Sequence, residues 1–197
     1  MGSRSPPAST RAEPALTPTI HNFEIDLSDV DRGVYETLAL RVARHPSETE
    51  DYLLTRVLAY CLEYTDGISF SNGLAEPDEP PLAVRDLTGV MRVWIDIGAP
   101  DAARMHKAGK AAARVVVYTH KDPAQWLRQL EGERIHRAEA IEIYSFDRAL
   151  IAALVSRLER RMAMSLSIAD RHVMVALDDA VVEGDVTRHH LGEERRG

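Results

Sequence analysis

Cysteine is almost absent. Cys61 stands alone, which excludes a disulfide framework and a cysteine-built zinc site within one chain. Lysine is nearly as scarce: Lys107, Lys110 and Lys121 are the only three among 24 basic residues, and the net charge is −7. An arginine-dominated, acidic chain is a poor fit to broad, sequence-independent coating of DNA, which needs a basic surface. It remains compatible with arginines turned toward a phosphate backbone around a local site. No run approaches the roughly 20 apolar residues of a spanning helix, and the start lacks an apolar signal core. A cytoplasmic protein without a membrane partner is the expectation. Three common catalytic signatures are missing too. There is no G-x-S-x-G elbow and no dinucleotide fingerprint, and Gly109-Lys110 lacks the earlier glycine of a phosphate loop. No internal repeat is visible.

What is present is enough apolar material for one substantial core, 45% of 197 residues, a length that favours a single domain. Residues 1–17, rich in Pro, Ala, Ser and Thr, read as a disordered leader. Residues 18–182 read as the folded domain and residues 183–197, including His189 and His190, as a charged flexible tail. Thr19 to Leu27 and Val34 to Val42 alternate apolar and polar residues around Asp31-Arg32-Gly33, which predicts a hairpin. Ser47 with Glu50 forms a capping box for a helix ending near Gly67. Its apolar stripe runs through Leu54, Val57, Leu58, Cys61 and Leu62, so Cys61 is a core thiol. Asn72 to Pro81 is an acidic, proline-rich loop. Asp86 to Ile97 is extended, Pro100 to Ala113 helical, and Val115 to Tyr118 a buried strand. A helix over Asp122 to Leu130, a strand over Ala140 to Tyr144 and a helix over Asp147 to Arg161 follow. A closing hairpin turns at Ala169-Asp170-Arg171. This alternation predicts an α/β fold, a mixed β-sheet flanked by helices with antiparallel hairpins at its edges.

The most informative segment is Asp86 to Gly98, DLTGVMRVWIDIG, in which two acids lie ten residues apart and the helix carrying Lys107 and Lys110 comes next. Paired carboxylates with a nearby ammonium group are what a divalent-metal phosphodiesterase requires. In one unbroken strand Asp86 and Asp96 would stand roughly 33 Å apart. They can cooperate only if the chain reverses near Thr88-Gly89. Asp96, followed by Gly98 and Pro100, ends its strand just before a helix, where ligands collect in open α/β sheets.

From Asn22 to about Val182 the sequence resembles the bacterial YaeQ family. The resemblance is carried by ARHPSET at Ala43 to Thr49, DEPP at Asp78 to Pro81, DLTG at Asp86 to Gly89, WIDIG at Trp94 to Gly98, and VVVY at Val115 to Tyr118. It implies a variant of the restriction-endonuclease-like fold of the PD-(D/E)XK nucleases, with additional strands. Carried over by that resemblance, Asp86 is the first acid, Asp96 the second and Glu48 the helical glutamate, with Glu63 a weaker alternative. Together Asp86, Asp96 and Glu48 would hold Mg²⁺, or Mn²⁺ in its place, for an activity on nucleic acid. The superfamily's lysine position, two residues after the second acid, is occupied by Gly98, so Lys107 or Lys110 would have to supply the cation. Arg85 precedes Asp86 where the superfamily has proline.

Each residue also has a structural explanation. Asp96 suits a cap on the following helix, and Glu48 in a first turn suits the helix dipole. Lys107 and Lys110 suit a solvated face, Asp78 and Glu79 an exposed loop, and His45 and His106 surface positions. Trp94 suits sheet packing more than base stacking. Arg44, Arg85 and Arg92 are candidate phosphate contacts. Two functions follow: a Mg-dependent phosphodiesterase or nuclease, and a noncatalytic binding or regulatory protein, with a protein partner in that case, on the same fold.

Overall fold

A computed structural model describes residues 17–71 and 78–191; the leader expected at the start therefore lies almost wholly outside the described residues, as do 72–77 of the acidic loop and 192–197. The predicted hairpin forms from β1 (Thr19–Asp29) and β2 (Val34–Arg44), paired from Thr19↔Arg44 to Asp29↔Val34. Its alternation turns Phe23, Ile25, Leu27, Leu38, Leu40 and Val42 to one buried face, as a period of two requires. Next come α1 (Glu50–Leu62), β3 (Ile68–Phe70), β4 (Leu82–Arg85) and β5 (Met91–Ile97). They are followed by α2 (Ala102–Ala111), β6 (Arg114–Thr119), α3 (Pro123–Leu130) and β7 (Glu142–Phe146). The described chain closes with α4 (Arg148–Val155), β8 (Arg161–Ala169), β9 (His172–Ala176) and β10 (Val181–His189).

The strands form one ten-stranded mixed sheet, ordered β2-β1-β8-β9-β10-β7-β6-β5-β4-β3 and nearly closed into a barrel. Helices α1 and α4 pack together on one side, where Leu53, Leu58, Leu150 and Leu154 meet inward-facing residues of nearly every strand. On the other side α2 and α3 cover Trp94, Val115, Val117 and Ile143 with Met105, Ala108, Trp126 and Leu130. Strands β5, β6 and β7 are parallel to one another, and Val115 to Tyr118 is the continuous buried run such strands show. Among the described residues no helix is long and apolar enough to cross a membrane.

Several boundaries differ from the sequence expectation. The cap of α1 is Thr49, whose hydroxyl accepts from the Tyr52 amide at 3.1 Å; Ser47 is instead held by His45 at 2.6 Å. Glu48 consequently precedes the helix rather than lying in its first turn. The helix ends at Leu62, not near Gly67. Gly67 instead packs against β4, where a Cβ would stand 2.0 Å from the Arg85 carbonyl oxygen. The extended segment expected from Asp86 is a β4–β5 hairpin. α4 ends at Val155, well short of Arg161. The tail expected from Glu183 continues as β10, bonded between β9 and β7. Its charged residues escaped a strand assignment because they face outward while Gly184 and Val186 face in.

Candidate functional site

A cleft of about 900 Å³ opens at the carboxyl ends of β5, β6 and β7. Four segments build it. The chain entering α1 supplies Ser47, Glu48, Thr49, Asp51 and Tyr52, and the exit from β5 supplies Ile97, Gly98 and Ala99. The exit from β6 supplies His120, Lys121 and Asp122, and the start of α4 supplies Arg148 and Ala152. The amino ends of α1, α3 and α4 open onto it. Such ends favour anions.

Two cations accompany those helix ends. Lys121 and Arg148 are exposed, and among the described residues their side chains make no hydrogen bond or ion pair. A cation in a first helical turn opposes the helix dipole. Arg148, directly after the cap Asp147, shows that anomaly, and Lys121 stands directly before the cap Asp122; a cation next to a capping Asp was the sequence signal that could have marked them.

Glu48 lies deepest, 5% exposed. One carboxylate oxygen accepts from Arg56 at 3.2 Å, while Oε1 has no hydrogen-bond partner among the described residues. Burial pushes the Glu48 carboxyl above its ordinary range, against the opposing pull of Arg56. Burial likewise lowers the His120 imidazole and lifts the Tyr52 phenol to about 12. Arg56 itself is 1% exposed, donates to the Ala43 carbonyl at 2.7 Å and lies 5.8 Å from the rings of Tyr52 and Phe70.

Asp96 takes no part in lining the cleft. It is 4% exposed and shares the Trp94 face of β5, which α2 covers. Its Oδ2 accepts from the Trp94 indole at 3.1 Å and the Arg104 guanidinium at 2.5 Å, and Oδ1 from the Ile97 amide at 3.2 Å. Arg104 extends over the Trp94 ring and donates to the Glu79 carbonyl at 3.0 Å. Asp96 therefore does not cap α2; Asp101 does, at 2.8 Å from the Arg104 amide.

Asp86 is elsewhere again. The chain does reverse at Thr88-Gly89, but the reversal begins at Asp86 itself. One carboxylate oxygen accepts from Thr88 Oγ1 at 2.6 Å and from the Thr88 and Val90 amides, and the other binds Arg92. These bonds, the Thr88 hydroxyl foremost, lower its carboxyl to about 2. Val90, its neighbour, is six residues from Asp96, about 20 Å along the strand, so the expected pair does not assemble. Lys107 is exposed and paired with Asp78, and Lys110 is exposed on α2.

The other candidates are committed within the fold. Arg44 bonds the Glu48 carbonyl, Arg85 pairs with Glu79 and Arg92 with Asp86. Glu63, at the far end of α1, is bound by Arg114 and Tyr118. Cys61 is fully buried, its thiol pushed up to about 12. His106 is half-buried, its Nδ1 without a partner. Trp94 packs in the core.

A resident Mg²⁺ needs several oxygen ligands around one point. The three acids expected to hold it occupy a turn, a buried ion pair and the cleft floor. Among the described residues no group of three His, Cys, Asp or Glu side chains is arranged to hold a metal. The donor set does not fit the ion. The missing lysine also has a backbone cause: Gly98 has φ +91, a conformation strained for any residue with a side chain.

Fold and cleft thus define a mixed α/β protein with a cleft at the carboxyl ends of its parallel strands. The model of the YaeQ protein family matches residues 14–186, and the chain belongs to that family. The Escherichia coli K12 relative, the uncharacterised protein YaeQ, is 30% identical over 176 residues, covering 88% of this chain and 96% of its own. The uncharacterised YaeQ protein of Salmonella typhi is 30% identical over 158 residues, covering 79% and 87%. The crystal structure of YaeQ from Xanthomonas axonopodis pv. citri matches with TM-score 0.81 at 32% identity over 88% of this chain and 99% of that one. That of Pseudomonas syringae YaeQ gives 0.78 at 28% over 91% and 98%.

Proposed function

We propose that the protein is a noncatalytic binding protein on a nuclease-like sheet, and that its cleft takes a nucleotide or a nucleic-acid strand. The observation that carries this is the commitment of Asp96 to Arg104 and Trp94, which leaves it out of the lining of the cleft. A buried carboxylate neutralised by a guanidinium and held by an indole N–H is a packing group, not a metal ligand. Recognition falls to the uncommitted cations. Lys121 and Arg148, at the amino ends of α3 and α4, meet a phosphate, and Glu48 Oε1 accepts from a base or ribose donor. A charge-assisted hydrogen bond contributes about 1.5–3 kcal/mol, so each side chain is worth roughly tenfold or more in affinity.

The test is fluorescence polarisation of labelled single-stranded DNA and RNA in EDTA. Saturable, metal-independent binding that Lys121→Ala and Arg148→Ala each weaken about tenfold supports the proposal, on the same conversion. Binding that is absent, or indifferent to both substitutions, refutes it. A second reading, a Mg- or Mn-dependent phosphodiesterase, is favoured by the unpartnered Glu48 Oε1 in the cleft. Metal-dependent cleavage of the same strands would establish that reading instead.

A further inference from the structure

A second cavity, about 500 Å³, opens at the opposite end of the parallel strands, beside Val93 and Arg114 at the amino ends of β5 and β6. Its size is that of an ordinary small-molecule pocket. The floor is apolar, with Val84, Ile168 and Val186 all buried. One wall is the stacked pair Tyr118 and Tyr144, their ring centroids 5.3 Å apart at 22°.

Three guanidinium groups stand at the mouth, and two are spoken for. Arg32 binds Asp29 at 2.6 Å and the carbonyls of Tyr64 and Cys61. Arg114 is clasped between Glu63 and Glu142, each at 2.6 Å. Arg171 is different. Its guanidinium lies 5.7 Å from the Tyr144 ring centroid and makes no hydrogen bond or ion pair among the described residues.

The backbone that places it there is unusual. Asp170 and Arg171 form the two-residue β8–β9 turn with φ 52 and 59, the conformation for which glycine or asparagine is the favoured occupant of the second position. The Asp31 carboxylate fixes the turn by accepting from both amides, at 2.7 and 3.0 Å. Turn chemistry gives no reason for a long side chain here, and an observed backbone outlier beside a cavity is grounds for a functional hypothesis. What arginine adds over the aromatic wall is a guanidinium that, among the described residues, makes no hydrogen bond or ion pair.

We propose that this mouth binds a small monocarboxylate with an apolar body. The carboxylate pairs with the planar fork of Arg171, and the body lies against Tyr144, Tyr118 and the valine floor. Asp29, Asp31 and Glu63 line the same mouth, and Arg32 and Arg114 are already paired with Asp29, Glu63 and Glu142, so one cation, Arg171, is left for one carboxylate. The site is independent of the cleft beside Glu48.

The test uses the full chain, benzoate and octanoate as probes, and benzyl alcohol as the uncharged control, followed by amide NMR shifts and melting temperature. Saturable shifts around Arg171 and Tyr144 with either acid, absent with the alcohol, are expected. Arg171→Asn should weaken binding at least tenfold while raising the melting temperature, because asparagine suits the turn better. Arg171→Lys should fall between. No saturable shift in the wild type, or binding unchanged in Arg171→Asn, overturns the proposal. Weaker binding together with a lower melting temperature assigns Arg171 to the fold and overturns it equally.

Discussion

Replacing Glu48 by alanine should be among the most damaging single changes to this protein, for reasons that lie in Arg56. The two side chains are each 2% exposed and meet at 3.2 Å. Without Glu48 the guanidinium keeps only the Ala43 carbonyl and two aromatic faces, and its Nε already lacks a partner. Breaking a buried pair from one side costs about 3–5 kcal/mol, since a charge is left uncompensated. For a domain of this size each kcal/mol moves the melting temperature by about 2–4 °C, giving a fall of about 6–20 °C. Arg56→Met should cost less, because Glu48 can escape by keeping its proton, a form that burial already favours. The sign follows from linkage. A carboxyl raised above its unfolded value stabilises the fold below that value, and the contribution is lost as pH rises through the folded one. Arg56→Met removes the largest opposing pull, so its deficit should shrink toward acid pH. The double variant Glu48→Leu with Arg56→Met should recover much of the loss. Urea unfolding with unchanged slope is the assay. A loss below about 1 kcal/mol for Glu48→Ala, well under the range for a stranded buried charge, would refute the reasoning.

Asp86, lowered to about 2, stabilises the β4–β5 turn above its ordinary value near 3.8, and that contribution should vanish as pH falls from there through about 2; a carboxyl titration by NMR that finds an ordinary midpoint would contradict this. Gly67→Ala should destabilise by about 2–5 kcal/mol, combining overpacking with a positive φ. The Cβ would stand 2.0 Å from the Arg85 carbonyl oxygen, and urea unfolding reads the loss.

Much of the fold was legible because its strongest signals are periodic. The β1–β2 and β8–β9 hairpins, the α1 stripe and the β6 run each declare a period or a length that packing then obeys. What escaped was short or charged. β3 has three residues and β4 four, too few to show alternation, and β10 places its charges on the outer face. The site was legible in part. Glu48 lies in the cleft, but Asp86 and Asp96 looked paired because sequence spacing reports nothing about where a reversal falls. The reversal is centred on Thr88, three residues before the midpoint that would set the two acids opposite each other. Arg104, which decides the state of Asp96, was readable only as a cation sitting against a helix dipole.

If Asp96 is the packing acid proposed, no metal ion is held beside it. Calorimetric titration of the wild type and Asp96→Asn with Mg²⁺ and Mn²⁺ tests it most directly. No saturable heat is expected from either protein. Saturable uptake by the wild type that Asp96→Asn abolishes would contradict it and return the phosphodiesterase to first place.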